Sequence, residues 1–242
     1  MLQFGLIGFP LTHSFSESYF NEKFETEKVN AVYKNYPLES LDSLKHLIKE
    51  NNISGFNVTF PYKEKIIRFL DETDAEVKLI GAVNCVKVTN GKLTGYNTDI
   101  IGFEKSFIDF LPAGKNFKAL VFGSGGSGKM VQQSLKRNKI PFLLVSRNDI
   151  AGGITYADLN EKIMNEYNLL INTTPVGMYP DTGRRIQIPY QYINENHVAF
   201  DLIYNPAKTQ FLLFCEERNA LIKNGLDMLH IQADESYRIF MK

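Results

Sequence analysis

Lys118-Ala119-Leu120-Val121-Phe122 runs without a break into Gly123-Ser124-Gly125-Gly126-Ser127-Gly128. An apolar run of strand length followed by a glycine-rich turn lets the backbone approach a pyrophosphate and aims the first N–H groups of the next helix at that anion. Gly123, Gly125 and Gly128 fit the G-x-G-x-x-G spacing. Glycines also serve tight turns that hold no ligand, so the context decides. Met130, Val131 and Leu135 give the following helix an apolar side, and Ile140 to Ser146 reads as the next strand. The setting is a complete βαβ unit, with Gly123, Ser124, Gly125, Gly126 and Ser127 as the expected pyrophosphate contacts. The second strand ends at Ser146-Arg147, where an NAD site carries an acidic residue for the ribose hydroxyls. A hydroxyl beside a guanidinium suits a 2′-phosphate instead, and the guanidinium can stack on adenine. NADP (NADPH) is therefore the expected cofactor. Asp149 is close enough in sequence to touch a ribose, and Arg147 read alone is also an ordinary solvated loop arginine.

Working outward, strands at Asn168 to Asn172 and His197 to Leu202 alternate with helical stretches, so residues 100–224 form a Rossmann-like doubly wound domain. It opens with a helix from Ile100 to Leu111, stopped by Pro112 and Gly114. Three strand-and-helix units precede it. Gln3 to Gly8 is followed by a helix capped by Ser16 and carrying Tyr19, Phe20 and Phe24 on one face. Ala31 to Tyr36 is followed by a Ser40-capped helix with Leu41, Leu44, Leu47 and Ile48; Gly55 to Thr59 is followed by a helix started by Pro61. Val83 to Val88 and Lys92 to Tyr96 flank Asn90-Gly91, a two-residue hairpin turn, and this hairpin is expected to close the first sheet. The fold class is two-domain α/β: an N-terminal α/β substrate domain over residues 1–99, the NADP-binding domain over 100–224, and a final helix, 225–242, returning to the first.

Composition removes whole classes of function. The 242 residues are 44% hydrophobic and 22% charged, ordinary for a globular chain long enough for two domains. Lys and Arg number 27 and so do Asp and Glu, so no global basic field attracts nucleic acid or an anionic membrane surface. The longest apolar runs, such as Ile140 to Val145, are far below the roughly 18 residues a membrane span needs. No basic residue precedes Lys23, which argues against a signal peptide. Cys85 and Cys215 each stand alone in apolar context, as buried free thiols of a reducing cytoplasm do. The four histidines are too scattered for a local metal pattern, and no metal is expected.

Short polar clusters sit at the edges of the apolar segments of the first domain: Asn57-Val58-Thr59-Phe60-Pro61-Tyr62-Lys63, Gly81-Ala82-Val83-Asn84 and Asn97-Thr98-Asp99. Taken singly they read as turn residues, a helix N-cap at Asp99 and a solvated lysine. Strand ends in such sheets are also where ligands sit.

These clusters, together with Ser14-Phe15-Ser16, the glycine turn, Asn172-Thr173-Thr174-Pro175-Val176-Gly177-Met178, Asp201-Leu202-Ile203-Tyr204-Asn205-Pro206 and Asn224-Gly225-Leu226 up to Gln232, occur in an order that resembles the shikimate dehydrogenases over essentially the whole chain. The resemblance implies a small-molecule substrate and NADPH-dependent reduction of 3-dehydroshikimate to shikimate in aromatic amino-acid biosynthesis. It implies that Ser14, Ser16, Asn57, Thr59, Asn84, Tyr204 and Gln232 bind substrate, with Asp99 among them, and that Lys63 and Asp99 stand at the reacting oxygen. Thr173 and Gly225 join the cofactor contacts on the same ground. The chemistry agrees, because hydride delivery to a ketone builds negative charge that a nearby ammonium can stabilise and protonate while a carboxylate orients it. The pattern departs from the family after Arg147, where a threonine and a second arginine give way to Asn148-Asp149-Ile150-Ala151, a thinner phosphate clamp. Two other readings make different predictions: an NAD-using quinate/shikimate dehydrogenase, against which Ser146-Arg147 speaks, and a non-catalytic metabolite sensor, against which Lys63 and Asp99 speak. The sequence leaves monomer or homodimer open.

Overall fold

The computed structural model of the chain describes residues 1–11 and 15–242. Continuous burial over the last five residues of β1 (Leu2–Gly8) shows how the first sheet is packed: Phe4 and Leu6 belong to one apolar layer and Ile7 to the other. Layers on both faces are what parallel crossovers produce. α1 (Phe15–Thr26) follows, then β2 (Ala31–Pro37), a short 3-10 turn leading into α2 (Leu44–Glu50), and β3 (Ile53–Val58). Two residues of β4 (Glu72–Thr73), then α3 (Ala75–Ile80) and the hairpin β5 (Cys85–Thr89) and β6 (Lys92–Tyr96), complete the sheet. Its order is β2-β1-β3-β5-β6-β4, with β1 parallel to both neighbours and β5 antiparallel to β3 and β6. Asn90 and Gly91 have φ of 52° and 78°, as the hairpin turn requires.

α4 (Asp99–Ile108) leads to the second sheet, built from β7 (Ala119–Phe122), α5 (Gly126–Arg137), β8 (Phe142–Ser146), β9 (Gly153–Thr155), α6 (Glu161–Glu166), β10 (Leu169–Asn172), β11 (Val198–Asp201), α7 (Gln210–Glu216) and β12 (Leu221–Lys223). All its pairs are parallel, in the order β12-β11-β10-β7-β8-β9. Counted from β7, that is the doubly wound order 3-2-1-4-5-6, whose strand direction of travel switches between β7 and β10. α8 (Leu226–Met241) ends the chain. The chain divides into two compact units, residues 1–101 with 232–242 and residues 102–231, the boundaries falling inside α4 and α8.

Several local expectations are corrected. α1 begins at Phe15, so Ser16 lies in its first turn and is not the cap. No α-helix follows Pro61; a 3-10 helix begins at Lys65. The Lys63 carbonyl, which a helix would turn toward Ile67, accepts instead from the Val83 N–H at 2.7 Å, and the Tyr62 N–H turns back to the Thr59 carbonyl at 2.9 Å. The hairpin does not close the first sheet, because β4 adds itself to β6. α4 stops at Ile108, short of Pro112. Both cysteines are free and buried, as expected, and among the described residues no helix is long and apolar enough to cross a membrane.

Candidate active site

In the first unit, β3, β5 and β6 and the helices α4 and α8 bring their polar ends to one cluster of hydrogen bonds. Lys63 Nζ donates to Asp99 Oδ2 at 2.6 Å. The other oxygen, Oδ1, accepts from Asn84 Nδ2 at 2.9 Å, so both carboxylate oxygens are held. The side chain of Asp99 is 10% exposed and that of Lys63 24%, which leaves the ammonium within reach of a solute while its partner is fixed. Asp99 is not the N-cap of α4: Asn97 Oδ1 accepts from the Ile100 N–H at 3.2 Å, which frees the Asp99 carboxylate for Lys63.

Asn84 is the hub. Its Nδ2 also faces Thr98 Oγ1 at 2.9 Å and Gln232 Oε1 at 3.3 Å, and its Oδ1 accepts from the Thr98 N–H at 2.7 Å. Asn57 Nδ2 donates to the Asn84 carbonyl at 3.1 Å and to Ser236 Oγ at 2.9 Å, and Ser236 Oγ lies 3.0 Å from Thr98 Oγ1. Tyr33 donates its hydroxyl proton to Asn57 Oδ1 at 2.8 Å; burial holds that phenol well above its usual range, so it stays a donor. The web therefore joins five expected residues, Asn57, Lys63, Asn84, Asp99 and Gln232, with three the sequence reading passed over. Tyr33 read as an apolar member of the strand Ala31 to Tyr36, with nothing to single out its hydroxyl. Thr98 stood inside Asn97-Thr98-Asp99 without a role. Ser236 sits four residues after Gln232, on the same side of α8, a signal that helical spacing alone offered.

Other expected substrate residues are placed less centrally. Ser14 lies outside the described residues. Ser16 hydrogen-bonds the Tyr33 hydroxyl and so touches the web through it. Thr59 is half-buried at the end of β3, its N–H on the Ile7 carbonyl at 2.9 Å. Tyr204 belongs to the second unit, half-buried after β11, and burial raises its phenol pKa.

The second unit carries the glycine turn at the switch of its sheet. Gly123 has φ of +109°, which only glycine adopts freely, and a Cβ there would lie 2.7 Å from Thr173 Oγ1. A Cβ on Gly128 would lie 2.2 Å from the Gly123 carbonyl oxygen, so that glycine lets helix and turn touch. At Gly125 a Cβ would meet nothing within 4 Å. Gly125 is the N-cap of α5 and offers no side-chain bond, and the first backbone bond into the helix is Lys129 N–H to the Gly125 carbonyl at 2.9 Å. The N–H groups of Gly126, Ser127 and Gly128 have no earlier intrahelical carbonyl to bond. An open cradle of backbone donors fits a dinucleotide pyrophosphate. Thr173, at the end of β10, donates Oγ1–H to the Phe122 carbonyl at 2.7 Å and so braces the turn from across the switch. Ser146 is half-buried and Arg147 exposed at the end of β8; Ser124 on the turn is exposed too. Gly225 packs where a Cβ would lie 2.1 Å from the Leu202 carbonyl oxygen.

Comparison with known proteins bears on the same regions. A family model described as the shikimate dehydrogenase substrate binding domain matches residues 6–86. The shikimate dehydrogenase (NADP(+)) of Methanococcus aeolicus is 37% identical over an alignment covering 98% of this chain and 90% of that protein. The structure of shikimate dehydrogenase 1 from Peptoclostridium difficile is similar with a TM-score of 0.90 at 33% identity, covering 100% of this chain and 92% of that one. Shikimate 5-dehydrogenase from Thermus thermophilus, solved with NADP(H) and shikimate, has a TM-score of 0.85 at 29% identity over 99% of this chain and 93% of that one.

Proposed function

Because the chain belongs to the shikimate dehydrogenase family, we propose that its Lys63 and Asp99 are the groups that act at the reacting oxygen of 3-dehydroshikimate, and that its second unit holds the NADPH. The enzyme is an NADP-dependent oxidoreductase of aromatic amino-acid biosynthesis, reducing 3-dehydroshikimate to shikimate. The observation that carries the assignment of roles is the 2.6 Å Lys63–Asp99 pair set among neutral amides and hydroxyls. Bound NADPH supplies the hydride. Lys63 stabilises the charge that grows on the ketone oxygen and gives it a proton, and Asp99 holds the ammonium in place.

A small polyhydroxy acid has little apolar surface, and Asn57, Thr59, Asn84 and Gln232 offer it donors and acceptors, with Ser14, Ser16 and Tyr204 as further contacts. Gly123, Ser124, Gly125, Gly126 and Ser127 take the pyrophosphate, Ser146 and Arg147 the 2′-phosphate, and Thr173 and Gly225 the remaining edge. The substrate domain corresponds to residues 1–99 with the final helix, and the cofactor domain to 100–224. Two buried free thiols support a cytoplasmic location.

The test is direct. Purified protein given shikimate and NADP⁺ shows the near-ultraviolet absorbance of reduced nicotinamide rising; no rise with NADP⁺ or NAD⁺ refutes the reading.

A further inference from the structure

Asp201 is a buried carboxylate that the roles above do not use. It ends β11, is fully shielded from solvent, and accepts three hydrogen bonds: from Thr209 Oγ1 at 2.6 Å, Asn172 Nδ2 at 3.0 Å and the Ile203 N–H at 3.1 Å. All three donors are neutral, and burial pushes the carboxyl up to about 7 in spite of them. A group this costly to bury needs a reason beyond packing.

Its partners give one. Asn172, at the end of β10, uses its own Oδ1 to accept from the Thr174 N–H at 3.0 Å and the Thr174 hydroxyl at 2.7 Å, which fixes the backbone on either side of Thr173. The Leu202 N–H bonds the Asn172 carbonyl at 3.0 Å, and the Gly225 N–H bonds the Ile203 carbonyl at 3.1 Å. One carboxylate thus sets three backbone segments at the strand ends of β10, β11 and β12: Thr173–Thr174, Ile203–Tyr204 and Gly225. Doubly wound folds consist of two mononucleotide halves. The glycine turn and Ser146-Arg147 lie on the β7-β8-β9 half, so the β10-β11-β12 half serves the nicotinamide nucleotide.

We propose that Asp201 is a positioning residue for the nicotinamide half of the cofactor, acting through Asn172 and Ile203 on the backbone of Thr173–Thr174, Tyr204 and Gly225. This rests on the cofactor assignment made above. It is a matter of hydrogen-bond geometry and not of charge, because an asparagine at 201 can accept from Asn172 and Ile203 through Oδ1 and donate to Thr209 Oγ1 through Nδ2.

Two probes divide the cofactor: NADP⁺ itself and 2′,5′-ADP, which lacks the nicotinamide nucleotide. Calorimetric titration of purified Asp201→Ala is expected to show NADP⁺ bound about tenfold more weakly or worse, the scale of a lost buried hydrogen bond, with 2′,5′-ADP unchanged. Turnover with saturating NADP⁺ falls as well, since misplacing a reacting group by about 1 Å can cost roughly 10²-fold. Asp201→Asn restores both. Thr174→Val keeps the side-chain shape and removes the hydroxyl that donates to Asn172 at 2.7 Å and accepts from the Val176 N–H at 3.3 Å, while the Thr174 N–H stays on Asn172 Oδ1; it shows the same selective loss to a smaller degree and decides the matter if Asp201→Ala does not fold. Equal weakening of both probes, or a lower Tm with neither affinity changed, overturns the proposal. Wild-type protein binding neither probe overturns the cofactor assignment itself, and this inference with it.

Discussion

Lys63 and Asp99 differ in what each can lose. Lys63→Met keeps the length of the side chain and removes the ammonium, so kcat is expected to fall by about 10²-fold or more while KM for shikimate changes far less. Steady-state kinetics check this, and near-native turnover would make Lys63 a surface lysine after all. Asp99 holds both Lys63 and Asn84, so its loss disturbs the binding web as well as the ammonium. Arg147 is exposed at the end of β8, and its proposed role is toward the cofactor's 2′-phosphate. A charge-assisted hydrogen bond is worth roughly 1.5–3 kcal/mol, so Arg147→Ala is expected to lower kcat/KM with NADPH by about 10- to 150-fold and to leave NADH nearly unaffected. Equal losses with the two cofactors would remove Arg147 from the phosphate clamp.

Among the elements, the glycine turn illustrates how two neighbouring glycines fail for different reasons. Gly128→Ala drives a Cβ to 2.2 Å from the Gly123 carbonyl oxygen, a backbone atom that cannot swing aside. Overpacking of this kind costs about 1–3 kcal/mol, so thermal denaturation is expected to show Tm lowered by several degrees. Gly125→Ala meets no atom within 4 Å and is expected to leave Tm unchanged while weakening NADP⁺, because its Cβ occupies the approach to the open helix end. The turn, the Asn90-Gly91 hairpin and most strands were legible because their signals are local: glycine spacing, a two-residue turn, an apolar run. The elements that were not legible depend on distant partners. β4 has two residues and β9 three, too few for a period to show, and each exists as an added edge on β6 or β8. The Pro61 rule for starting a helix lost to the Lys63 carbonyl bonding Val83, a contact across 20 positions of the chain. At the site, Lys63, Asn84 and Asp99 were legible as polar residues in apolar borders, whereas Tyr33 and Ser236 become visible only once β2, one strand removed from β3 across β1, and α8 bring their side chains to Asn57.

At the scale of the molecule, the two units are built from the chain in different ways: residues 102–231 form one continuous length, while the other unit combines residues 1–101 with the last stretch, 232–242. That last stretch is not decoration. Ser236 bonds Asn57, Gln232 meets Asn84, and the Phe240 ring lies 4.7 Å from that of Phe4 and stacks on it. During synthesis the ribosome releases β7 to β12 in full before it releases the residues that complete the polar web, so on the proposed assignment the cofactor unit is finished before the substrate unit. A chain halted after residue 231 is therefore expected to retain 2′,5′-ADP on an affinity matrix yet show no shikimate binding by calorimetry, and adding residues 232–242 back in cis restores the second without altering the first. On the proposed assignment of the two units, that outcome would give the protein an order of birth, in which an unfinished copy occupies cofactor before it can use it.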